Sequence, residues 1–226
     1  MAGRKRLTLL VEGDGDVQAV PALVSRLLEK HGGIDVLFPD NPMKVGDLFG
    51  LVKQGNAGEW LRFVRVASKR PNLAGIILLL DGDCDDKVVR TSSGEKLFCA
   101  ATIAEFLALQ AQAVGAGSLF SLAVVFARQE YESWLIAGHS EPDLRLKPGV
   151  ALLTGNLEDA PRSAKEWLVR NRRDGYKPTR HQKSLTSTLN FDLLAPRMRS
   201  FRRLENAVQQ IIAATRTCRH IVSPTR

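Results

Sequence analysis

The fold of this chain is decided by residues 76–86, IILLLDGDCDD, in which five apolar residues are followed by four carboxylates within six positions. An Ile and Leu run this short, with no polar alternation, is typical of a strand covered on both faces, as in a parallel sheet between helices. Ligands of such sheets bind beyond the carboxyl ends of the strands. The sequence therefore predicts a buried strand that carries acidic side chains to the ligand-binding edge of a parallel sheet.

The acids of this stretch indicate a site for a divalent cation. Carboxylates packed together repel one another and are unfavourable to hold ionised unless cations lie between them. Mg²⁺ takes oxygen ligands and usually keeps waters or substrate phosphates beside one or two carboxylates. Asp81 and Asp83 can face one such ion, and Asp85 is a further candidate ligand. The alternative interpretation is a polar exit from a strand, at which the acids are only solvated.

Two other apolar runs also end in acids. Residues 7–11 precede Glu12, and residues 119–127 precede Glu130 and Glu132. Apolar runs that alternate with helical patterns predict an α/β fold, with a mostly parallel sheet flanked by helices. If the three strands are neighbours, their acids converge on one patch. Glu130 and Glu132 project together only while the chain is extended, so we expect at most one of them to face the site.

Local signals add expectations about single elements. Asp16 is a candidate N-cap for the helix that follows the first strand. Pro21 suggests that this helix begins later than Asp16. Residues 87–96 are polar and predict a loop that could lie over the site. Ser200 is a candidate N-cap for the last helix.

Charge is distributed very unevenly along the chain, whose net charge is +8. Residues 1–161 contain 17 Lys and Arg against 20 Asp and Glu, whereas residues 162–226 contain 15 against 4. An acidic site beside a basic surface is what a metal-dependent enzyme acting on a polyanion needs. The alternative is a basic, solvated tail without specific contacts. The candidate phosphate contacts are Lys177, Arg180, Lys183, Arg199, Arg202 and Arg203.

We expect an α/β domain over residues 1–140 and a basic, mainly helical extension over residues 141–226 that packs on it.

Composition argues against several other classes of protein. The three cysteines form no C-x-x-C pair and the four histidines lack metal-ligand spacing, which argues against a disulfide scaffold or a zinc knuckle. The apolar run at residues 7–11 is too short for a signal peptide or a membrane span. The sequence thus predicts a cytoplasmic protein that does not associate with membranes.

The motifs VEG at residues 11–13 and LDGD at residues 80–83 resemble those of Toprim domains. This metal-binding fold is shared by topoisomerases, primases and overcoming-lysogenization-defect nucleases, and the resemblance covers roughly residues 5–137. It implies that Glu12 serves as general acid/base or ligand. It also implies that Asp81 and Asp83 bind Mg²⁺ or Mn²⁺.

Further segments resemble small Toprim-like proteins of bacterial genomes, which are often encoded near defence genes. These segments are residues 129–134, 176–180 and 200–204. The resemblance implies a stand-alone nuclease acting on DNA or RNA, in phage defence or RNA processing. It also implies a possible protein partner encoded in the same operon.

Two other functions fit the same residues. A haloacid-dehalogenase phosphatase would use Asp81 as nucleophile and Asp83 as acid/base, but it would leave Glu12 without a role. A non-catalytic module would keep the acids for one structural Mg²⁺ and would use the basic region to bind nucleic acid or a partner protein.

Overall fold

The structure is a computed structural model that describes residues 3–52, 57–91, 94–159 and 163–224. Its strands are β1 (Lys5–Val11), β2 (Leu37–Pro39), β3 (Met43–Lys44), β4 (Leu73–Gly82), β5 (Val88–Thr91), β6 (Gly94–Leu97), β7 (Ser121–Arg128) and β8 (Val222–Ser223). Its helices are α1 (Asp14–Lys30), α2 (Leu48–Leu51), α3 (Gly58–Ser68), α4 (Ala100–Gln112), α5 (Tyr131–Ala137), α6 (Glu141–Leu144), α7 (Ala164–Asn171), α8 (Lys183–Thr188), α9 (Phe191–Arg197) and α10 (Arg199–Arg216), with a π-helical turn at Pro178–Gln182.

The central sheet has the strand order β2-β1-β4-β7-β8, and β3 also pairs with β1. Every pairing in it is parallel. This confirms the predicted α/β class with a mostly parallel sheet flanked by helices. Val11 pairs with Leu79, and Asp81 pairs with Ala127. The register therefore brings the carboxyl ends of β1, β4 and β7 to one edge, because parallel strands end on the same side.

Strand β4 lies at the centre because its side chains are apolar on both faces. Ile77 and Leu79 belong to a core formed with α1, α5 and α10. Ile76, Leu78 and Leu80 belong to a second core formed with α3 and α4. Side chains along a strand alternate between its faces, so an unbroken Ile and Leu run supplies both cores at once.

The basic C-terminal part is built into the same structure. Phe201, Leu204 and Val208 of α10 lie in one core with Leu23 and Leu27 of α1. Strand β8 extends the central sheet by pairing with β7. Residues from both sides of residue 140 thus share a core and a sheet. The domain boundary expected there stays a prediction. None of the described helices is both long and apolar enough to cross a bilayer.

The start of α1 differs from the prediction. The helix begins at Asp14, its N-cap is Gly13, and it continues through Pro21. Asp16 lies in the first turn, where its Oδ2 accepts the Gly13 N–H at 2.9 Å. The side chain therefore caps the helix from inside. Pro21 removes one helical hydrogen bond, but the buried apolar face around it, including Val20, holds the helix together.

Two further local predictions were wrong. Ser200 does not cap α10, whose N-cap is Met198, because its Oγ accepts the Trp134 Nε1–H at 2.9 Å. Residues 88–91 and 94–97 form an antiparallel hairpin in place of the expected loop. The rest of that loop, residues 92–93, lies outside the described residues. The repeated β-branched residues at 88–89 favour a strand and were outweighed in the prediction by the polar residues around them.

Candidate metal and nucleic-acid site

The ends of β1 and β4 meet through the side chain of Glu12 and the backbone of Asp81. Glu12, the first residue after β1, accepts the backbone N–H of Asp81 with its Oε2 at 3.1 Å. Asp81 in turn accepts the backbone N–H of Tyr131 with its Oδ1 at 2.8 Å. Tyr131 is the first residue of α5, just beyond β7. Two hydrogen bonds therefore tie together the three strand ends that the sequence predicted to converge.

Asp16 also belongs to this site, although the sequence indicated it only as a helix cap. Its Oδ1 accepts the Gln182 Nε2–H at 2.6 Å. Its negative charge is among the causes that raise the pKa values of Glu12 and Asp81. The available signal was the short acidic segment EGDGD at residues 12–16, which keeps Asp16 close to Glu12 along the chain.

Glu12, Asp16, Asp81, Asp83 and Glu132 are called the acidic cluster below. Burial, opposed by the Asp81 N–H and reinforced by repulsion from Asp16 and Asp83, raises the pKa of Glu12 to about 7. Burial and repulsion from Asp16, Glu12 and Glu132 hold the pKa of Asp81 well above its usual range. The cluster thus gathers more negative charge than its surroundings stabilise, a situation that a bound cation relieves.

Glu130 and Glu132 differ in their surroundings, and only Glu132 belongs to the acidic cluster. Gln129 adopts a left-handed backbone with φ 64°, and α5 begins two residues later, so the segment between the glutamates is not extended. Glu130 accepts the Lys165 N–H with its Oε2 at 2.9 Å. Burial is the main cause that raises the pKa of Glu130, and the negative charge of Asp83 adds to it. Glu132 is 4% exposed, and its burial raises its pKa to about 7.

Asp85 is held away from this arrangement by an ion pair. Its two carboxylate oxygens accept from Arg128 Nη1 and Nη2 at 2.6 and 2.7 Å. Arg128 Nη1 also donates to the carbonyl oxygen of Gly82 at 3.1 Å. Asp85 therefore anchors the loop that carries Asp83. The role of Asp85 as a metal ligand stays a prediction.

The oxygen donors at this site are those that a divalent cation prefers. Among residues 3–52, 57–91, 94–159 and 163–224, no group of three or more His, Cys, Asp and Glu side chains is arranged to hold one ion. The residues nevertheless fit Mg²⁺ or Mn²⁺ in kind, because their donors are carboxylate oxygens and Mg²⁺ usually binds through one or two of these. The crowding in the acidic cluster supports the same fit.

One group of the predicted phosphate contacts lies beside the acidic cluster. Lys177, Arg180 and Lys183 are exposed at and around the π-helical turn. This turn packs on α1 at Gly15, and Gln182 within it donates to Asp16. Lys165 is a further cation here that the sequence analysis missed, and its charge opposes the rise that burial causes in the pKa of Asp16.

The second group surrounds the start of α10. Arg199 and Arg203 line a separate cleft together with Asp85 and Arg128. Arg202 Nη1 instead donates to the carbonyl oxygen of Ala195 at 2.7 Å and thereby satisfies the end of α9. The sequence indicated the charge of these arginines, but only the fold shows that they divide into two surfaces.

Replacing Gly15 with alanine should separate the basic turn from the acidic cluster. A Cβ at Gly15 would lie 2.0 Å from Gln182 Oε1 and 2.6 Å from Pro178 Cβ, so the turn must shift. We expect a loss of about 1–3 kcal/mol in the free energy of unfolding, measured with urea. Gly50→Ala is the control, because its Cβ would make only an ordinary contact of 3.4 Å. Equal stability of the two variants would contradict the close packing.

Comparison with protein-family models, with curated proteins and with solved structures finds no significant match for this chain. The likeness to Toprim domains therefore stays a prediction from the motifs at residues 11–13 and 80–83.

Proposed function

We propose that the protein is a metal-dependent phosphodiester hydrolase, a nuclease that acts on DNA or RNA. The observation that carries this proposal is the direct contact between Glu12 and the backbone of Asp81 at the carboxyl edge of a parallel sheet. Ligands of such sheets bind at this edge. Basic residues border the same edge on the π-helical turn, as a polyanionic substrate requires.

The residues divide into three tasks under this proposal. Asp81 and Asp83 would hold Mg²⁺ or Mn²⁺, which when bound stabilises charge on phosphate oxygens and lowers the pKa of a coordinated water. Glu12, with a pKa raised by burial to about 7, is suited to exchange a proton at neutral pH. Lys177, Arg180 and other exposed cations would fix the phosphate backbone without reading its sequence.

The biological setting is part of the same proposal. A nuclease of this kind would act in the cytoplasm, in phage defence or in RNA processing, with a protein partner encoded in the same operon. Comparing cleavage with and without that partner chain addresses the last point directly.

The test is cleavage of single- and double-stranded DNA and RNA in the presence of Mg²⁺ or Mn²⁺. Wild type should cut at least one of these substrates, and Glu12→Gln should be slower by roughly 10²–10⁴-fold, as for loss of a general acid or base. Glu29→Gln is the matched control, because Glu29 is exposed near the far end of α1 and should leave the rate unchanged.

The same preparations distinguish the other two functions. Salt-dependent binding without cleavage by any preparation would replace the nuclease with a nucleic-acid-binding module. A trapped acyl phosphate on Asp81 would instead indicate a phosphatase of the haloacid-dehalogenase type.

A further inference from the structure

A cleft of about 320 Å³ opens between the start of α4, the loop after β4 and the start of α10. Its polar lining comes from all three regions, from the end of β7 and from Glu158 and Asp159 in the segment before α7. The residues that matter for its chemistry are Asp85, Cys99, Arg128, Glu158, Arg199 and Arg203. The acidic cluster is not part of this lining.

The cleft is nevertheless linked to the acidic cluster by a hydrogen bond at the end of β4. Arg128 lines the cleft and donates to the carbonyl oxygen of Gly82, which lies between Asp81 and Asp83 in the chain. The same arginine grips Asp85 with both Nη atoms. The loop after β4 thus carries Asp83 of the acidic cluster and, two residues later, Asp85 of the cleft wall, so a phosphate backbone bound at the cluster could extend to the cleft.

Most charges of the cleft have partners among the residues that the structure describes, but two do not. Asp85 is held by Arg128, and buried Glu158 accepts the backbone N–H of Ser200. Asp159 accepts from the side chain of Asn156. In the part of the chain that the structure describes, no ion pair involves Arg199 or Arg203, which are exposed one helical turn apart on α10. Two guanidinium groups spaced in this way suit a phosphate.

Cys99 lines the cleft together with Arg203. Hydrogen bonding by Thr102, first through its backbone, and the charge of Arg203 lower the pKa of the Cys99 thiol. The thiol is exposed at the start of α4. The thiolate is therefore favoured chiefly by local hydrogen bonds, and the charge of Arg203 adds to them.

We propose that this cleft binds a phosphate group of the nucleic acid next to the one placed at the acidic cluster, with Arg199 and Arg203 as its ligands. The inference rests on the proposed function, since it extends the path of the same substrate. It assigns the second basic group a task distinct from that of Lys177, Arg180 and Lys183.

The thiol of Cys99 provides a direct test. The experiment is done in EDTA, which removes divalent metal and so prevents metal-dependent cleavage of the nucleic acid. Iodoacetamide alkylation of Cys99 is followed by mass spectrometry, with exposed Cys218 as the internal reference. Short single-stranded DNA or RNA at about ten times its dissociation constant should slow Cys99 about tenfold, because mass action leaves little free protein. Cys218 should react at an unchanged rate.

Variants assign the protection to the arginines. The double variant Arg199→Gln and Arg203→Gln should lose it, whereas Arg219→Gln, which removes an exposed charge beyond α10, should keep it. Each variant is compared with its own rate without nucleic acid, because Arg203 also affects the thiol. Protection by 5′-phosphorylated and 5′-hydroxyl oligonucleotides alike would indicate an internal phosphodiester, and protection by the former alone a terminal phosphate.

Two outcomes would overturn the inference: bound nucleic acid that leaves Cys99 alkylation unchanged, or protection that persists in the double variant. The proposed function fails separately. Protection without metal-dependent cleavage would keep the phosphate site and remove the nuclease, whereas cleavage without protection would keep the nuclease and remove the site.

Discussion

Replacing Asp81 with asparagine should raise the stability of the metal-free protein and at the same time abolish metal-dependent cleavage. Asparagine keeps the Oδ1 that accepts the Tyr131 N–H but removes the charge that faces Glu12 and Asp16. We expect a gain of about 1 kcal/mol in the free energy of unfolding, because charged active-site groups often destabilise the folded protein and their removal stabilises it. Cleavage should fall by roughly 10³-fold or more, because charge stabilisation at the phosphate is the largest catalytic contribution.

The pH dependence of this gain has a definite sign. Burial, followed by repulsion from Asp16, raises the pKa of Asp81 above its ordinary value of 3.8 in the folded protein. Below that value the carboxyl group is protonated in both folded and unfolded chains, so the variant gains nothing. As the pH rises, the unfolded chain ionises first and the wild type loses stability relative to Asp81→Asn. The difference between the two proteins should therefore grow from acid to neutral pH.

Melting temperatures in EDTA and in Mg²⁺ measure both effects. Mg²⁺ should raise the melting temperature of wild type and leave that of Asp81→Asn almost unchanged, because a cation that binds only the folded state stabilises it. Asp192→Asn is the control, since this side chain is 94% exposed and should shift stability by less than about 0.5 kcal/mol. A variant less stable than wild type in EDTA would contradict the repulsion inferred in the acidic cluster.

The sheet and the meeting of its strand ends could be predicted because both follow from local sequence. An Ile and Leu run covered on two faces has few alternatives to a central strand, and acids after such runs meet once the strands are parallel. Glu12 and Asp81 were placed in this way, and their contact in the structure is direct. The register between the strands was not needed for the prediction, because all the ends lie on one edge.

The parts that escaped prediction depend on contacts between distant segments. Asp16 joins the acidic cluster because Gln182, 166 residues away in the chain, holds its carboxylate. Ser200 is turned from a helix cap into a partner of Trp134 by the packing of α10 on α5. Arg202 supports α9 whereas Arg203, its neighbour, faces a cleft. A sequence gives the charge of such residues, but tertiary packing selects their partners.

Replacing Trp134 with alanine should destabilise the whole protein by about 3–5 kcal/mol, the range for deletion of a large buried aromatic side chain. Trp134 is 0% exposed and packs edge-on against Phe201 at 5.6 Å between ring centroids. It also contacts Tyr131 at 5.4 Å and donates to Ser200. The side chain therefore links α5, beside the acidic cluster, to α10 of the basic part.

Urea unfolding followed by circular dichroism and by hydrogen exchange measures this loss and tests the boundary expected at residue 140. Since α1 and α10 share one core, β4 and α10 should lose protection together in a single transition, in wild type and in the variant. Trp134→Phe retains an aromatic ring and should lose less than the alanine variant. If α10 exchanges well before β4 in the wild type, residues 141–226 form a separate folding unit, and the shared core does not couple them as inferred.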